Sequence, residues 1–114
     1  MIAVIFEVWP KPERRQDYLD MATELRPLLE SVEGFISIER FESLNEPGKI
    51  LSLSFFDSDE AVAEWRRREE HRKAQMLGRG GYFADYRLRV AAVIRDYGKQ
   101  RREQVPGDSR EIHG

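Results

Sequence analysis

The sequence predicts an α+β domain of the ferredoxin-like type, in which an antiparallel four-stranded sheet carries two helices on one face. Four short segments resemble strands in their residue content, and in two longer segments apolar residues recur every three to four positions. The segments follow the order strand, helix, strand, strand, helix, strand, which is the split βαβ arrangement. We expect residues 1–98 to form the domain and the polar residues 99–114 to form a C-terminal tail.

The first strand is predicted over residues 2–9, a run rich in β-branched side chains that stops at Pro10. From Pro12 onward, apolar residues recur at steps of three and four, which indicates an amphipathic helix. Gly34 is expected to end this helix as a C-terminal cap. Pro27 lies inside the pattern and removes one backbone hydrogen bond, so we expect a kink there rather than a break.

A β-hairpin is predicted from residues 35–42 and 49–56, because turn-forming residues separate these two strand-like runs. The second helix is expected to begin near Ser58, which supplies an N-cap side chain ahead of acidic first-turn residues. It should end near Leu77, because the Gly-Arg-Gly-Gly segment that follows does not favour a helix. Residues 82–86 predict a short turn.

The fourth strand is predicted at residues 87–95, where apolar and mainly basic residues alternate.

Period-two geometry then divides the sheet into two faces. We expect the face toward the helices to carry Ile2, Val4, Phe6, Val8, Leu51, Leu53, Phe55, Leu88, Val90, Ala92 and Ile94. We expect the opposite face to carry Ile5, Glu7, Trp9, Ile50, Ser52, Ser54, Phe56, Val93 and Tyr97. Because this second face is too apolar to lie in water, we predict a homodimer that packs sheet against sheet.

Composition excludes several classes of function. The chain has 114 residues, with 19 Lys and Arg against 21 Asp and Glu for a net charge of −2, and it has no Cys. The near balance of charge provides no basic surface for nucleic acid, and the lack of Cys removes disulfides, thiolate metal sites and thiol nucleophiles. No apolar run is long enough to span a membrane or to act as a signal peptide, so we expect a cytoplasmic protein. His71 and His113 lack metal-ligand spacing and no dinucleotide fingerprint follows a strand, so no metal or other cofactor is expected.

Trp65, near the centre of the second helix, is the first candidate for chemistry. Its indole either anchors the core or forms a pocket wall that stacks on a flat ligand and donates its N–H. His71 either belongs to a solvated basic face or transfers a proton. The second role requires the helix to bend or break near Glu69, because on an ideal helix His71 lies about 120° around the axis from Trp65. Glu7 is either solvated or semi-buried with a raised pKa, and Arg89 or Arg95 is then expected to neutralise it.

Motifs in both halves of the chain carry a family resemblance. They are Ala3-Val4-Ile5-Phe6-Glu7-Val8, Gly34-Phe35, Trp65, Glu70-His71, Gln75, Gly78-Arg79, Phe83, Tyr86, Arg89-Val90 and Arg95-Asp96-Tyr97. On these residues the sequence resembles the antibiotic biosynthesis monooxygenase family of dimeric α/β barrels, from residue 1 to about residue 97. The resemblance implies a homodimer with a largely apolar cavity between sheet and helices in each subunit. Some members oxidise polycyclic phenols or anthrones to quinones with O2, without metal or flavin.

Other members of that family bind and degrade haem. They use an Asn on the first strand, a Trp on the second helix and a His ten residues after that Trp. In this sequence the Trp position matches Trp65, the His position falls on Gln75, and the Asn position falls on Phe6 or Glu7. The resemblance therefore disfavours haem degradation.

The leading hypothesis is a cofactor-independent monooxygenase that oxidises a planar aromatic or quinol-like molecule with O2. The catalytic candidates are Trp65 and His71, and the substrate-binding candidates are Phe6, Glu7, Gln75 and Phe83. Two alternatives stay open beside haem degradation. One is a non-catalytic dimeric protein that binds a small aromatic metabolite, and the other is a housekeeping or stress protein whose cavity is filled by its own side chains.

Overall fold

The computed structural model describes the backbone of residues 1–76 and 81–107 and the side chains of residues 1–69 and 81–107. The elements in chain order are β1 (Ile2–Pro10), a 3₁₀ turn (Pro12–Arg14), α1 (Arg15–Glu30), β2 (Phe35–Glu42), β3 (Ile50–Phe56), α2 (Asp59–Met76) and β4 (Phe83–Ala92). The strands pair antiparallel in the order β2-β3-β1-β4. The predicted split βαβ fold is confirmed.

Helix α1 places its apolar stripe against the sheet, as its helical periodicity predicts. The buried residues of this stripe are Tyr18, Met21, Ala22, Leu25 and Leu29. Pro27 lies inside the helix without breaking it, and the helix ends at Glu30, earlier than Gly34. Gly34 instead begins the approach to β2 with a φ of +95°, and its carbonyl accepts a hydrogen bond from the Asp57 N–H at 2.8 Å.

Helix α2 begins where the sequence predicts, because the Ser58 hydroxyl accepts a hydrogen bond from the Ala61 N–H at 3.2 Å. The first turn buries Ala61 and Val62 against Phe56. Farther along the helix, Trp65 packs against this cluster and also against a second cluster. That second cluster consists of Val8, Tyr18, Met21, Leu25 and Ile50. Trp65 therefore bridges the two halves of the core.

Strand β4 begins earlier than predicted. The expected turn at residues 82–86 is wrong, because this segment pairs with the end of β1, where Phe83 lies opposite Pro10 across a register shift. The strand also ends earlier, since Ala92 already pairs with the first residue of β1. Ile94 lies beyond that pairing and is 82% exposed, so its expected place on the helix-facing side is also wrong.

The side chains of β3 that point toward the helices are the opposite set from the one predicted, so the predicted assignment of this strand's faces is wrong. The structure turns inward Ile50, Ser52, Ser54 and Phe56, all of them buried. It places on the outer face Leu51, Leu53 and Phe55. The cause is the register on β1, which pairs Ser52 with Phe6 and Ser54 with Val4, and directly paired residues point to the same side of a sheet. The ends of β3 are apolar on both faces, so its own pattern does not specify this phase.

The segment after β4 folds back on itself. The Asp96 N–H donates to the Gln104 side-chain oxygen at 2.5 Å, and Val105 is buried. A division between domain and tail at residue 98 stays a prediction. Within the described residues, no helix is long and apolar enough to cross a membrane.

Candidate functional site

A cavity of about 670 Å³ lies between the helices and the inner face of the sheet. Its walls are formed by Val4, Phe6, Tyr18, Met21, Ala22, Leu25, Arg26, Leu29, Ile38, Arg40, Ser52, Ser54, Val62, Trp65, Arg66, Glu69, Phe83, Tyr86, Leu88 and Val90. All four strands and both helices contribute side chains. The fold itself therefore positions the lining, and a volume of this size suits a small organic ligand.

The floor of the cavity consists of two rows of paired residues that cross the sheet. In the order β2, β3, β1, β4, the first row is Arg40, Ser52, Phe6 and Leu88, and the second is Ile38, Ser54, Val4 and Val90. Neighbouring strands lie about 4.8 Å apart, so the first row spans about 14 Å. The polar groups of the floor lie on β2 and β3, while β1 and β4 contribute apolar groups. The cavity is therefore amphipathic across its width.

Aromatic rings form one wall of the cavity. The Phe83 ring packs edge-on against Phe6 at 5.9 Å between centroids and against Tyr18 at 5.5 Å. Tyr86 lies 5.9 Å from Phe6 and 6.2 Å from Phe83. Edge-to-face packing of this kind stabilises the ring positions, so the wall is held ready for a flat ligand.

A polar pair lies at the β2 side of the cavity. Tyr18 is 3% exposed, and its hydroxyl oxygen accepts a long hydrogen bond from the Arg40 Nε at 3.4 Å. Because the Tyr18 oxygen is the acceptor in this contact, its own proton remains available as a donor. Within the part of the chain that the structure describes, the terminal nitrogens of Arg40 have no hydrogen-bond or ion-pair partner. The pair therefore presents several donors to the cavity.

Two serines on the floor strengthen this polar side. Ser52 and Ser54 are 7% and 6% exposed, on the helix-facing side of a strand whose outer face is apolar. Among the described residues, neither hydroxyl has a hydrogen-bond partner. Because both serines line the cavity, their hydroxyls add hydrogen-bonding groups to its polar side.

Helix α2 contributes Trp65 and Glu69, which are one turn apart and therefore lie on the same face. Trp65 is partly buried and its ring forms the roof of the cavity. Arg66 lies beside it and is exposed. Arg26 of α1 also lines the cavity, but it is already paired with Glu30 at 2.9 Å.

The structure brings together some of the residues that the sequence suggested. Phe6, Trp65 and Phe83 all line the cavity. The side chains of His71 and Gln75 lie outside the described residues, so their proposed roles stay predictions.

Glu7 follows Phe6 on β1 and points to the outer face, where the sequence placed it, so it does not line the cavity as a substrate-binding residue would. There its carboxylate contacts the Lys49 Nζ at 2.5 Å and the Arg89 Nη1 at 2.6 Å. Hydrogen bonds from Lys49 and then from Arg89 lower the pKa of Glu7 below its usual 4.5. The expected raised pKa is therefore wrong, while the expected neutralisation by Arg89 is confirmed. Glu7 is a structural ion-pair partner on the outer face.

Sequence reasoning missed the polar side of the cavity. Tyr18 belongs to the apolar stripe of α1, and Arg40 lies in a hairpin strand, so the sequence alone does not indicate that their side chains meet. Ser52 and Ser54 were assigned to the wrong face. One signal was present, since two serines alternate with large apolar residues in β3 and serine does not favour a strand for packing reasons.

The fold and the cavity define a small α+β protein with a partly apolar cavity between its helices and its sheet. The family model described as "Antibiotic biosynthesis monooxygenase" matches residues 1–77. The chain belongs to the antibiotic biosynthesis monooxygenase family.

Two curated proteins and one solved structure illustrate the family relationship. "Jasmonate monooxygenase ABM" of Pyricularia oryzae is 46% identical over 93 residues, which are 82% of this chain and 43% of that protein. The chain thus spans less than half the length of this relative. "Uncharacterized protein YqjZ" of Bacillus subtilis is 32% identical over 82% of this chain and 79% of its own length. The heme-degrader MhuD of Mycobacterium tuberculosis, solved with two hemes in its active site, superposes with a TM-score of 0.67 at 13% identity, over 86% of this chain and 100% of that chain.

The cavity does not fit the haem-degrading pattern. The cavity-facing residues of β1 are Val4 and Phe6, and neither carries the amide that this pattern requires on the first strand. No histidine lines the described part of the cavity. A likeness at 13% identity shows the fold alone.

Proposed function

We propose that this chain is a cofactor-independent monooxygenase that oxidises a planar, electron-rich aromatic or quinol-like molecule with O2. The observation that carries the proposal is the cavity between helices and sheet, with an aromatic wall of Phe6, Phe83 and Tyr86 beneath Trp65. The family membership and the activity named for the Pyricularia relative support oxygenation. Because that relative is named for jasmonate, jasmonate belongs among the compounds to test.

The substrate itself supplies the electrons in this reaction. Removal of one proton from a phenol or anthrone produces a phenolate or enolate, which transfers one electron to O2. The substrate radical and superoxide then combine to a peroxide anion, which takes up the proton that was removed and becomes a hydroperoxide. Loss of water from the hydroperoxide leaves the quinone carbonyl. One O2 is consumed per molecule, with one oxygen atom retained in the product and the other released as water. The protein needs to supply a proton acceptor, donors for the oxyanion and exclusion of bulk water.

The lining residues suit these three tasks. Trp65 covers the flat face of the substrate, and its indole N–H is a potential donor. Glu69 lies on the same face of α2 and is the described carboxylate of the lining, which makes it the proton acceptor that we propose. Arg40 and Tyr18 supply the donors for the oxyanion.

Oxygen uptake by the purified chain tests the proposal. We expect consumption of one O2 per molecule of an anthrone or quinol, without added metal or flavin. Glu69→Gln should reduce turnover by about a hundredfold, the usual size of a lost general base. Glu64→Gln is the matched control, because Glu64 lies on the same helix but pairs with Arg67 and Arg68 away from the cavity.

Three other outcomes would contradict parts of the proposal. Tight binding of aromatic compounds without any oxygen uptake would instead support the binding-protein alternative. An equal loss in His71→Gln, with Glu69→Gln unchanged, would transfer the proton-acceptor role to His71. Haem titration that ends in an open tetrapyrrole would restore haem degradation.

We also propose that the chain assembles as a homodimer through the outer face of the sheet. With β3 in its observed phase, this face carries Ile5, Trp9, Leu51, Leu53 and Phe55, a more apolar set than the sequence suggested. The same face also carries the ion pairs of Glu7 with Lys49 and Arg89, so it combines apolar side chains with paired charges. Apolar area of this extent on a sheet favours burial against a second copy.

A further inference from the structure

We propose that the cavity binds its ligand as an organic anion, with the oxyanion held by Arg40 and Tyr18 and the apolar body lying over β1 and β4. This inference names the substrate class for the site of the proposed function and rests on that function only for the choice of cavity. The shared chemistry is an oxyanion on a flat apolar body, whether it comes from a carboxylate or from a phenolate.

The charge of the lining favours an anion. The described lining contains three arginines and one glutamate, so it is net positive, while the chain as a whole has a net charge of −2. The three arginines are not equivalent. Arg26 is paired with Glu30, whereas Arg40 and Arg66 have no acidic partner among the described residues. Arg66 is exposed at the rim, which leaves Arg40 as the partly buried cation that faces the cavity.

The donors around Arg40 converge on one place. Ser52 pairs directly with Arg40 across β2 and β3, and Tyr18 contacts the Arg40 Nε from above. A guanidinium with free terminal nitrogens binds a carboxylate or phenolate oxygen by charge-assisted hydrogen bonds, which are stronger in a site shielded from water. The Tyr18 and Ser52 hydroxyls, which also line the cavity, then donate to the same oxyanion.

The apolar side of the cavity sets the orientation of the ligand. From Arg40 the first floor row continues through Ser52 to Phe6 and Leu88, over about 14 Å. A flat ligand whose oxyanion lies at Arg40 therefore extends over Phe6 under the Trp65 ring. In the reverse orientation the ligand's charge would lie against the apolar strands and Arg40 would have no partner. Burial of an unpaired charge is unfavourable, so the ligand would bind less tightly in this orientation.

Calorimetric titration with three naphthalene probes tests the charge requirement without any turnover. The probes are naphthalene-1-carboxylate, the neutral 1-naphthalenemethanol and the cationic 1-naphthylmethylammonium. We expect the carboxylate to bind at least about tenfold more tightly than the alcohol, and the cation to bind least. Equal binding of carboxylate and alcohol, or preferred binding of the cation, would overturn the proposal.

Substitution of Arg40 tests whether this residue provides the positive charge that binds the anion. In Arg40→Gln the preference for carboxylate over alcohol should be lost, while the affinity for the alcohol is retained and shows that the cavity is intact. Tyr18→Phe should reduce the preference by a smaller factor. Arg67→Gln removes the same charge from an exposed site outside the lining and should keep the full preference. A preference that survives in Arg40→Gln would refute the assignment.

A chromogenic phenol distinguishes the two sources of the oxyanion. A nitrophenol absorbs in the visible range only when it is ionised, so binding as phenolate increases this absorption at a pH below the phenol's own pKa. An increase that is absent in Arg40→Gln shows that the site holds phenolates as well as carboxylates. Carboxylate preference without this increase shows that the site is specific for carboxylates. Since neither readout needs O2, a failure of the oxygenase proposal leaves both measurements interpretable.

Discussion

At the scale of single residues, Trp65 serves both the core and the cavity. It packs against both buried clusters and also lines the cavity. Trp65→Phe retains most of the apolar volume but removes the N–H and part of the stacking surface. We expect a loss of stability below about 1.5 kcal/mol, as for a nearly volume-conserving change, together with about tenfold weaker aromatic binding.

Melting curves and calorimetry on one Trp65→Phe sample measure both quantities. Trp9→Phe is the control, because Trp9 lies on the outer face, where Lys49 stacks on its ring at 5.1 Å. The control should retain its affinity for naphthalene-1-carboxylate. A marked loss of stability in Trp65→Phe with unchanged affinity would contradict its role as a cavity wall.

Glu7 makes the stability of the fold depend on pH. Its pKa is lowered from 4.5 in the folded chain by Lys49 and Arg89, so its stabilisation is complete well above pH 4.5 and is lost as the pH falls through the lower folded value. Glu7→Gln also leaves the two cations close together without their carboxylate. The variant should therefore be less stable than the native chain near neutral pH, and this difference should shrink as the pH falls below 4.5.

Urea unfolding at a series of pH values measures this convergence. Glu24→Gln is the control, because Glu24 is exposed on α1 and has no ion pair among the described residues. Its difference from the native chain should stay constant over the same range. A Glu7→Gln difference that is also constant with pH would show that the ion pairs do not stabilise the fold.

At the scale of the elements, the sequence predicted well those helices and strands whose bounds are determined by their own residues. Helix α2 and the hairpin strands were predicted to within about two residues, because capping by Ser58 and turn residues act locally. The phase of β3 could not be predicted, since it depends on pairing with β1. The same interaction turns Ser52 and Ser54 toward the cavity, so the failed prediction and the polar side of the site have one cause.

Gly34 connects α1 to β2 at a place where a side chain does not fit. Its φ is +95°, and a Cβ there would clash with the Asp57 carboxylate and would lie 2.9 Å from the Ala61 Cβ on helix α2. Gly34→Ala therefore combines backbone strain with a clash that requires α2 to shift, and we expect a loss of about 2 to 4 kcal/mol. Gly48 has a φ of +86° with nothing within 4 Å, so Gly48→Ala should lose only the backbone part, about 1 kcal/mol.

Chemical unfolding of both variants separates the two contributions. If Gly34→Ala and Gly48→Ala lose the same free energy, the contact with Ala61 is not tight and only the positive φ matters.

At the scale of the whole molecule, a single chain leaves apolar surface exposed on both sides of the sheet. On the cavity face, Leu88 and Val90 of the edge strand β4 are 53% and 47% exposed. On the outer face, Phe41 of the opposite edge strand is 42% exposed. The order of elements predicted the fold of one chain, but assembly depends on which residues share a face, and that required the register of β3.

The proposed homodimer predicts a specific response to a charge on the outer face. The chain has a mass of 13.4 kDa, and sedimentation at micromolar concentration should give about twice this value. Leu53→Asp introduces a carboxylate in the middle of the outer face, where burial against a second sheet is costly, so this variant should sediment as a monomer. Leu44→Asp makes the same exchange in the hairpin loop, where Leu44 is fully exposed, and should remain a dimer.

Circular dichroism of Leu53→Asp must still show the folded spectrum, because an unfolded variant would dissociate for a different reason. A folded Leu53→Asp dimer would place the interface elsewhere, and a native chain that sediments at 13.4 kDa would leave the outer face without a second copy.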